Sequence, residues 1–232
     1  MLIAEMVPDG ATIQLGIGGV PNAVAQSLRN HHDLGIHSEM FTDSMVDLIE
    51  DGVANGSKKT FHPRKALFAF AAGSERMYRF LDDNPYVEGH PVSYTNVPSN
   101  IARNDNLVSV NSTIEIDLTG QCCSESMGAV QFSGTGGQHD FARGAFDSKG
   151  GKSIIAFYST ARGGEVSRVV PMLTPGSVVT TPRMEVQYMV SEYGVAQLKG
   201  KSLRERAGAL IGLAHPKFRD WLTAEAKQLG YA

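Results

Sequence analysis

Cysteine is nearly absent from this 232-residue chain: Cys122 and Cys123 are the only two. Adjacent thiols cannot bridge each other without strain, so no disulfide framework is expected, and the chain reads as cytoplasmic. Long apolar runs are missing too. Nowhere do 18 apolar residues follow one another, and the opening MLIAEMVPDG carries Glu5 where a signal peptide would be basic. Neither a membrane span nor a secretory leader is expected. Charge is sparse and balanced, with 21 Lys and Arg against 24 Asp and Glu, a net of −3. A nucleic-acid partner is therefore not expected.

Glycine, by contrast, is plentiful, at 25 of 232 residues, and follows no collagen-like period. Such an excess points to tight turns or to loops that approach a ligand closely. Hydrophobic residues make up 42% of the chain and charged ones 19%, a balance that excludes bulk disorder and supports a sizeable core.

Over about the first 120 residues, short apolar runs alternate with helix-like segments. TIQLGIG from Thr12, LGIHSE from Leu34 and KALFAFAA from Lys65 read as strands. PNAVAQSLRN from Pro21, DSMVDLIEDG from Asp43 and SERMYRFLDD from Ser74 read as helices, with Asp43 and Ser74 as N-caps. This βαβα pattern predicts an α/β fold: an open, mostly parallel sheet with helices on both faces. The middle differs, giving a mixed-strand central portion. Leu107–Gly120 alternates like one long half-exposed strand and runs into a Gly- and Ser-rich stretch. Beyond it, KSIIAFYSTA and SRVVPML read as strands, VVTTPRMEVQYMV as strand then helix, and the C-terminal segment as two helices parted near His215-Pro216. No linker or repeat divides the chain, so residues 1–232 are read as one domain.

Three places could carry chemistry. Gly16-Ile17-Gly18-Gly19 leaves a predicted strand and opens a helix, where backbone N–H groups can meet an anionic or carbonyl oxygen. It has neither the Rossmann spacing nor a P-loop lysine, so nicotinamide, flavin and ATP readings find no support. A tight strand-to-helix turn explains it equally well. Ser133-Gly134-Thr135-Gly136-Gly137 precedes a second helix and is either a flexible surface loop or another set of backbone donors. Glu39 ends a short apolar strand, where ligands gather in open α/β sheets. A carboxylate there suits a nucleophile or base, or else a helix-dipole partner.

Other groups assign less. His31, His32, Asp33 and His37 match no zinc spacing and read as a solvated cluster, so no metal is expected. Cys122 and Cys123 read as small buried thiols, with a Cys/His nucleophile pair as the alternative. Ser159, Thr160, Arg162, Arg183 and Glu192 stay undecided between pocket lining and turns.

Taken together, GIGGVPNAVAQSL, LGIHSEMFTDSMVDL, NSTIEIDLTGQCCSES, SGTGGQHDFARGA and EYGVAQLKGKSLRERAGALIGLAHPKFRDWL resemble the acetyl-CoA hydrolase/transferase family, most closely its 4-hydroxybutyrate and butyrate:acetate CoA-transferase members. The resemblance runs over essentially the whole chain and implies the fold that CoA-transferases share with sugar-phosphate isomerases. It implies that Glu39 attacks an acyl-CoA carbonyl and becomes a glutamyl-CoA thioester, which a short-chain carboxylate then resolves. Coenzyme A is a substrate in this reading. Gly136 and Gly137 match the segment that supplies an oxyanion hole and, with Gly134, borders CoA. Gly18 and Gly19 match the opposite wall, and Asn96 a group that touches the reacting acyl. Ser44 stands where the family commonly has glycine, and Cys122 where it has a small aliphatic residue.

Family enzymes are roughly twice this length, with two similar halves, and the chain matches the C-terminal half. Residues 1–10 then read as the remnant of a preceding half. An N-terminal half or a second copy of the chain is the implied protein partner.

Overall fold

A computed structural model of the chain describes residues 2–231. It separates into two compact units: the chain up to Asn111 together with Asp140–Ser153, and Ser112–His139 together with the chain from Ile154 onward. The sequence predicts one domain. The chain passes between the units at three points, each inside a strand or helix, so no Pro- or Gly-rich linker marks the division.

The first unit runs β1 (Thr12–Leu15), α1 (Gly19–Ser27), β2 (Gly35–Phe41), α2 (Asp43–Glu50), β3 (Ala66–Ala71), α3 (Glu75–Leu81), β4 (Val87–Gly89), the short α4 (Val92–Thr95) and α5 (Pro98–Ile101), then β5 (Leu107–Ser112). From Asp140 it also holds most of α6 (Gln138–Asp147). Its strands lie in the order β5-β1-β2-β3-β4, and every pair is parallel. All four residues of β1 are buried, as a strand covered on both faces requires. Of its two buried polar members, Gln14 is satisfied by a reciprocal amide pair with Asn111 at 3.1 and 3.0 Å. Strand order reverses at β1, so the loop after it leaves from the switch point where open sheets receive ligands.

Close approach explains one glycine here. A Cβ on Gly35 would lie 2.2 Å from Lys59 Cγ, and the space it vacates lets Lys59 run through the interior to donate to the carbonyls of Ile36 and Lys65 at 2.8 and 2.7 Å. Burial lowers that ammonium from 10.5 to about 7.

The second unit holds β6 (Glu115–Asp117), β7 (Cys122–Cys123), β8 (Ser126–Met127), β9 (Val130–Gln131), most of β10 (Lys152–Ala156), β11 (Thr160–Ala161), β12 (Val166–Ser167), β13 (Val169–Val170), β14 (Tyr188–Ser191), β15 (Gly194–Gln197), α7 (Leu203–Leu213) and α8 (Pro216–Gln228). β10 and β14 are parallel, and β14 and β15 form an antiparallel hairpin. β6 pairs parallel with β13 and antiparallel with β7, the mixed portion the sequence predicts. Ile116, Ile155, Val169, Met189, Leu210 and Leu222 belong to its core. A Ser202–Glu205 capping box starts α7, and His215 caps α8 ahead of Pro216.

The fold is thus mixed α/β with mostly parallel pairing, as expected, while several local readings change. Leu107–Gly120 is not one half-exposed strand. It forms the separate β5 and β6, and its alternating polar residues are buried: Glu115 accepts from Thr174 N and Oγ1 and from Ser177 Oγ at 2.8–2.9 Å. Val178–Val190, read as strand then helix, is instead irregular up to residue 187, with an isolated bridge at Thr181, and then enters the strand β14. Thr42, not Asp43, is the N-cap residue of α2. Asp43 instead accepts from the Ser74 backbone N–H at 2.9 Å and from the Ser74 hydroxyl, tying α2 to the start of α3.

Candidate active site

Successive side chains on a strand point to opposite faces, so His37, Glu39 and Phe41 share one face of β2. Against β2 and β3 packs α4, whose end presents Thr95 and Asn96. His37 is fully buried, which corrects its reading as part of a solvated histidine cluster. Its Nε2 donates to the Thr95 carbonyl at 2.8 Å, and its Nδ1 accepts from Asn104 Nδ2 at 2.9 Å, a pattern only the neutral ring can make. Burial drives this imidazole from 6.5 down to about 3, so it stays uncharged at neutral pH.

One residue beyond Thr95, Asn96 donates from Nδ2 to Glu39 Oε1 at 3.0 Å. Asn96 is 5% exposed, and its Oδ1 has no partner among the described residues. Its backbone, at φ −90° and ψ 0°, sits in the sparsely allowed bridge region where many active-site residues lie. Glu39 itself is partly buried near the C-terminal end of β2.

The loop after β1 places Gly18 and Gly19 at the start of α1, both exposed. Gly18 has φ +114°, a conformation that side chains resist, although a Cβ there would meet nothing within 4 Å. Its glycine is a conformational requirement rather than a packing one. The first N–H groups of a helix have no partner inside the helix and face outward. A cavity of about 390 Å³ opens here, lined by Ile17, Gly18, Asn22, Met40, Thr42 and Ser44. Met40 follows Glu39 directly.

Gly134, Gly136 and Gly137 lie in the second unit, in the loop that runs into α6. Gly134 and Gly136 are exposed and Gly137 is buried. The far end of the loop is anchored by Gln138, whose Nε2 donates to Ser124 Oγ at 2.9 Å and Thr181 Oγ1 at 3.1 Å. In the same unit both cysteines are fully buried, and burial pushes the Cys122 thiol far up, so it is no nucleophile at neutral pH. Ser159 and Glu192 resolve into a contact: the carboxylate accepts from the Ser159 hydroxyl at 2.5 Å and its N–H at 2.9 Å.

Of the residues singled out from sequence, the first unit brings Glu39 and Asn96 into contact and sets Gly18 on a cavity beside the β2 end. Sequence reasoning missed Asn104 and the true place of His37. It also missed a cluster of His62, Glu88 and His90, of which only the Glu-x-His spacing of 88–90 is visible in the chain.

A mixed α/β fold with a hydrogen-bonded carboxylate at the C-terminal end of a parallel strand, beside a Gly-rich turn, defines an α/β protein of the kind that gathers ligands at its strand ends. The particular family follows from comparison. The model for the acetyl-CoA hydrolase/transferase C-terminal domain matches residues 73–226, and the chain belongs to this family. It is 55% identical over 225 residues to the 4-hydroxybutyrate coenzyme A transferase of Clostridium kluyveri, covering 97% of this chain and 52% of that protein. To the succinyl-CoA:cyclohexane-1-carboxylate CoA transferase of Geobacter metallireducens it is 52% identical over 227 residues, 98% of this chain and 52% of that one. The crystal structure of RipA from Yersinia pestis superposes with a TM-score of 0.95 at 49% identity, over all of this chain and 52% of RipA. The chain therefore spans about half the length of the relatives it matches.

Proposed function

We propose that this chain carries the nucleophile-bearing half of a CoA-transferase that moves CoA between an acyl-CoA and a short-chain carboxylate such as acetate, butyrate or 4-hydroxybutyrate. The observation that carries the reading is Glu39, held by Asn96 at 3.0 Å near the C-terminal end of β2. The Glu39 carboxylate adds to the thioester carbonyl and expels CoA thiolate, leaving an acyl-glutamyl anhydride. The thiolate then attacks the Glu39 carbonyl of that anhydride, releasing the acyl group as a carboxylate and forming a glutamyl-CoA thioester. An incoming carboxylate repeats the two steps in reverse and regenerates Glu39, so the thioester bond energy is conserved.

In this account Asn96 orients Glu39 and meets the reacting acyl group. Gly136 and Gly137 supply backbone donors to the oxyanion, and Gly134, Gly136 and Gly137 border CoA. Gly18 and Gly19, in the first unit, offer further backbone donors. Donors of this kind are worth about 10²–10³ in rate each. The steps call for no metal, nicotinamide or flavin, and for neither nucleic acid nor membrane. Among the described residues no helix is long and apolar enough to cross a bilayer. We place the work in the cytoplasm, where the free Cys122 and Cys123 stay reduced and CoA is available.

The 52% coverage of the C. kluyveri relative favours a second reading, that turnover requires an N-terminal half or a second copy of the chain. Incubation with acetyl-CoA, with and without added butyrate and with and without an N-terminal half in trans, with butyryl-CoA and free CoA both quantified, tests both. Transfer that depends on butyrate supports the transferase. Release at the same rate without any carboxylate assigns the family's other activity, hydrolysis.

A further inference from the structure

We propose that His62, Glu88 and His90 form a binding site for a borderline divalent transition cation, best fitted by Zn²⁺, built into the first unit and separate from the Glu39 chemistry. This departs from the expectation that the chain holds no metal.

One ligand atom from each of the three side chains lies within 4.8 Å of the others. His62 Nδ1 is 2.8 Å from Glu88 Oε2, and His90 Nε2 is 3.4 Å from the same oxygen. Two imidazole nitrogens and one carboxylate oxygen are a donor set that zinc takes in sites keeping a fourth position for water or an outside ligand. The side chains are 21%, 30% and 31% exposed, open enough for that fourth ligand and shielded enough to hold a geometry.

The sequence folds into this arrangement for local reasons. Glu88 and His90 stand two apart on extended chain, so they share a face. The His90 N–H bonds to the Phe68 carbonyl at 2.9 Å, carrying the β3–β4 pairing one residue past β4. His62 arrives from the loop before β3 with a left-handed backbone, φ +48°, which an ordinary side chain adopts at a cost.

A supporting shell is present as well. Tyr94 Oη lies 2.8 Å from His62 Nε2, and the Tyr94 ring stacks on His90 at 4.8 Å between centroids. Histidines that ligate a metal regularly hold their second nitrogen in such a bond, which fixes the ring and its tautomer. Without a cation, His62 Nδ1–H donates to Glu88 and Nε2 accepts from Tyr94. With one, the Nδ1 lone pair turns to the metal and Nε2–H donates to Tyr94, so no group is orphaned in either state. Lys65 Nζ sits 3.7 Å from the other carboxylate oxygen, Oε1, and leaves Oε2 for the cation.

The test is equilibrium dialysis of the purified 232-residue chain against ZnCl₂ with metal analysis, and Co²⁺ substitution read in the visible spectrum. One zinc per chain and a tetrahedral Co²⁺ spectrum are expected. Glu88→Gln and His90→Ala should each weaken binding more than 10-fold, and Tyr94→Phe by about 10-fold with stoichiometry kept. His32→Ala, on an exposed histidine elsewhere, should change nothing. Circular dichroism checks that each variant is folded, and the wild-type Co²⁺ spectrum reports on the site without any substitution. A wild-type chain that keeps no zinc and gives only an octahedral Co²⁺ spectrum overturns the proposal. So does zinc retained equally by folded Glu88→Gln and His90→Ala.

Discussion

Asn96 holds Glu39 through one hydrogen bond, Nδ2 to Oε1 at 3.0 Å, and leaves its own buried Oδ1 without a partner among the described residues. A buried carbonyl oxygen left unpaired costs about 1–3 kcal/mol. Fully buried His37 grips the carbonyl of Thr95, the residue before Asn96, and so fixes where that amide stands.

Replacing Asn96 by Ala removes the donor to Glu39 together with the orphaned oxygen. The account predicts a loss of about 10²-fold in the rate of acyl transfer, the size typical of one preorganised donor. Because one unfavourable group leaves with one favourable bond, the melting temperature should shift little. Steady-state kinetics and a thermal melt on the same preparation check both halves.

His37 gives stability a pH dependence whose sign is fixed. Its folded value of about 3 lies below the unfolded 6.5, so between these limits the unfolded chain binds a proton that the folded chain refuses. Its contribution is whole above pH 6.5 and is lost as pH falls toward 3, at up to about 1.4 kcal/mol per pH unit. Urea unfolding at pH 7, 5.5 and 4.5 should show a shallower decline in His37→Gln than in the wild type.

Lys59 acts in the alkaline range. Burial lowers its folded value to about 7 against 10.5 when unfolded, so stability rises with pH between those limits as the unfolded amine alone stays protonated. The two carbonyls it reaches match the two N–H bonds of a neutral amine. Lys59→Met should remove this rise, measured as the difference in unfolding free energy between pH 7.5 and 9.5.

The paired glycines at the start of α1 should respond differently. Gly18→Ala forces a side chain onto φ +114° and should cost about 1–2 kcal/mol, whereas Gly19→Ala meets open space at an ordinary φ and should stay within about 0.5 kcal/mol. Equal destabilisation by both would place the constraint in packing, not in backbone conformation. Chemical denaturation of the two variants decides it.

Much of this was legible in the chain, and what was not has physical causes. β1 and β2 announce themselves as short apolar runs, and Pro216 parts α7 from α8. Glu39 stood out as a candidate because it follows a short apolar run and because the family resemblance matches it to a nucleophile. Its link to Asn96 could not be read there, since the partner lies 57 residues away, capping a helix of four residues that is too short to leave a periodic signal. His37 was misread because its sequence neighbours His31 and His32 suggested a solvated group, while parallel pairing buries β2 on both faces. Alternating polar residues made β5 and β6 look half-exposed, although Asn111 and Glu115 are buried against Gln14, Thr174 and Ser177.

The most direct test of the account is intact-mass analysis with peptide mapping, after the chain and an N-terminal half are incubated with acetyl-CoA. The account predicts a CoA thioester on Glu39 in the wild type and none in Glu39→Gln. A CoA adduct on any other residue, or transfer that persists in Glu39→Gln, would contradict it.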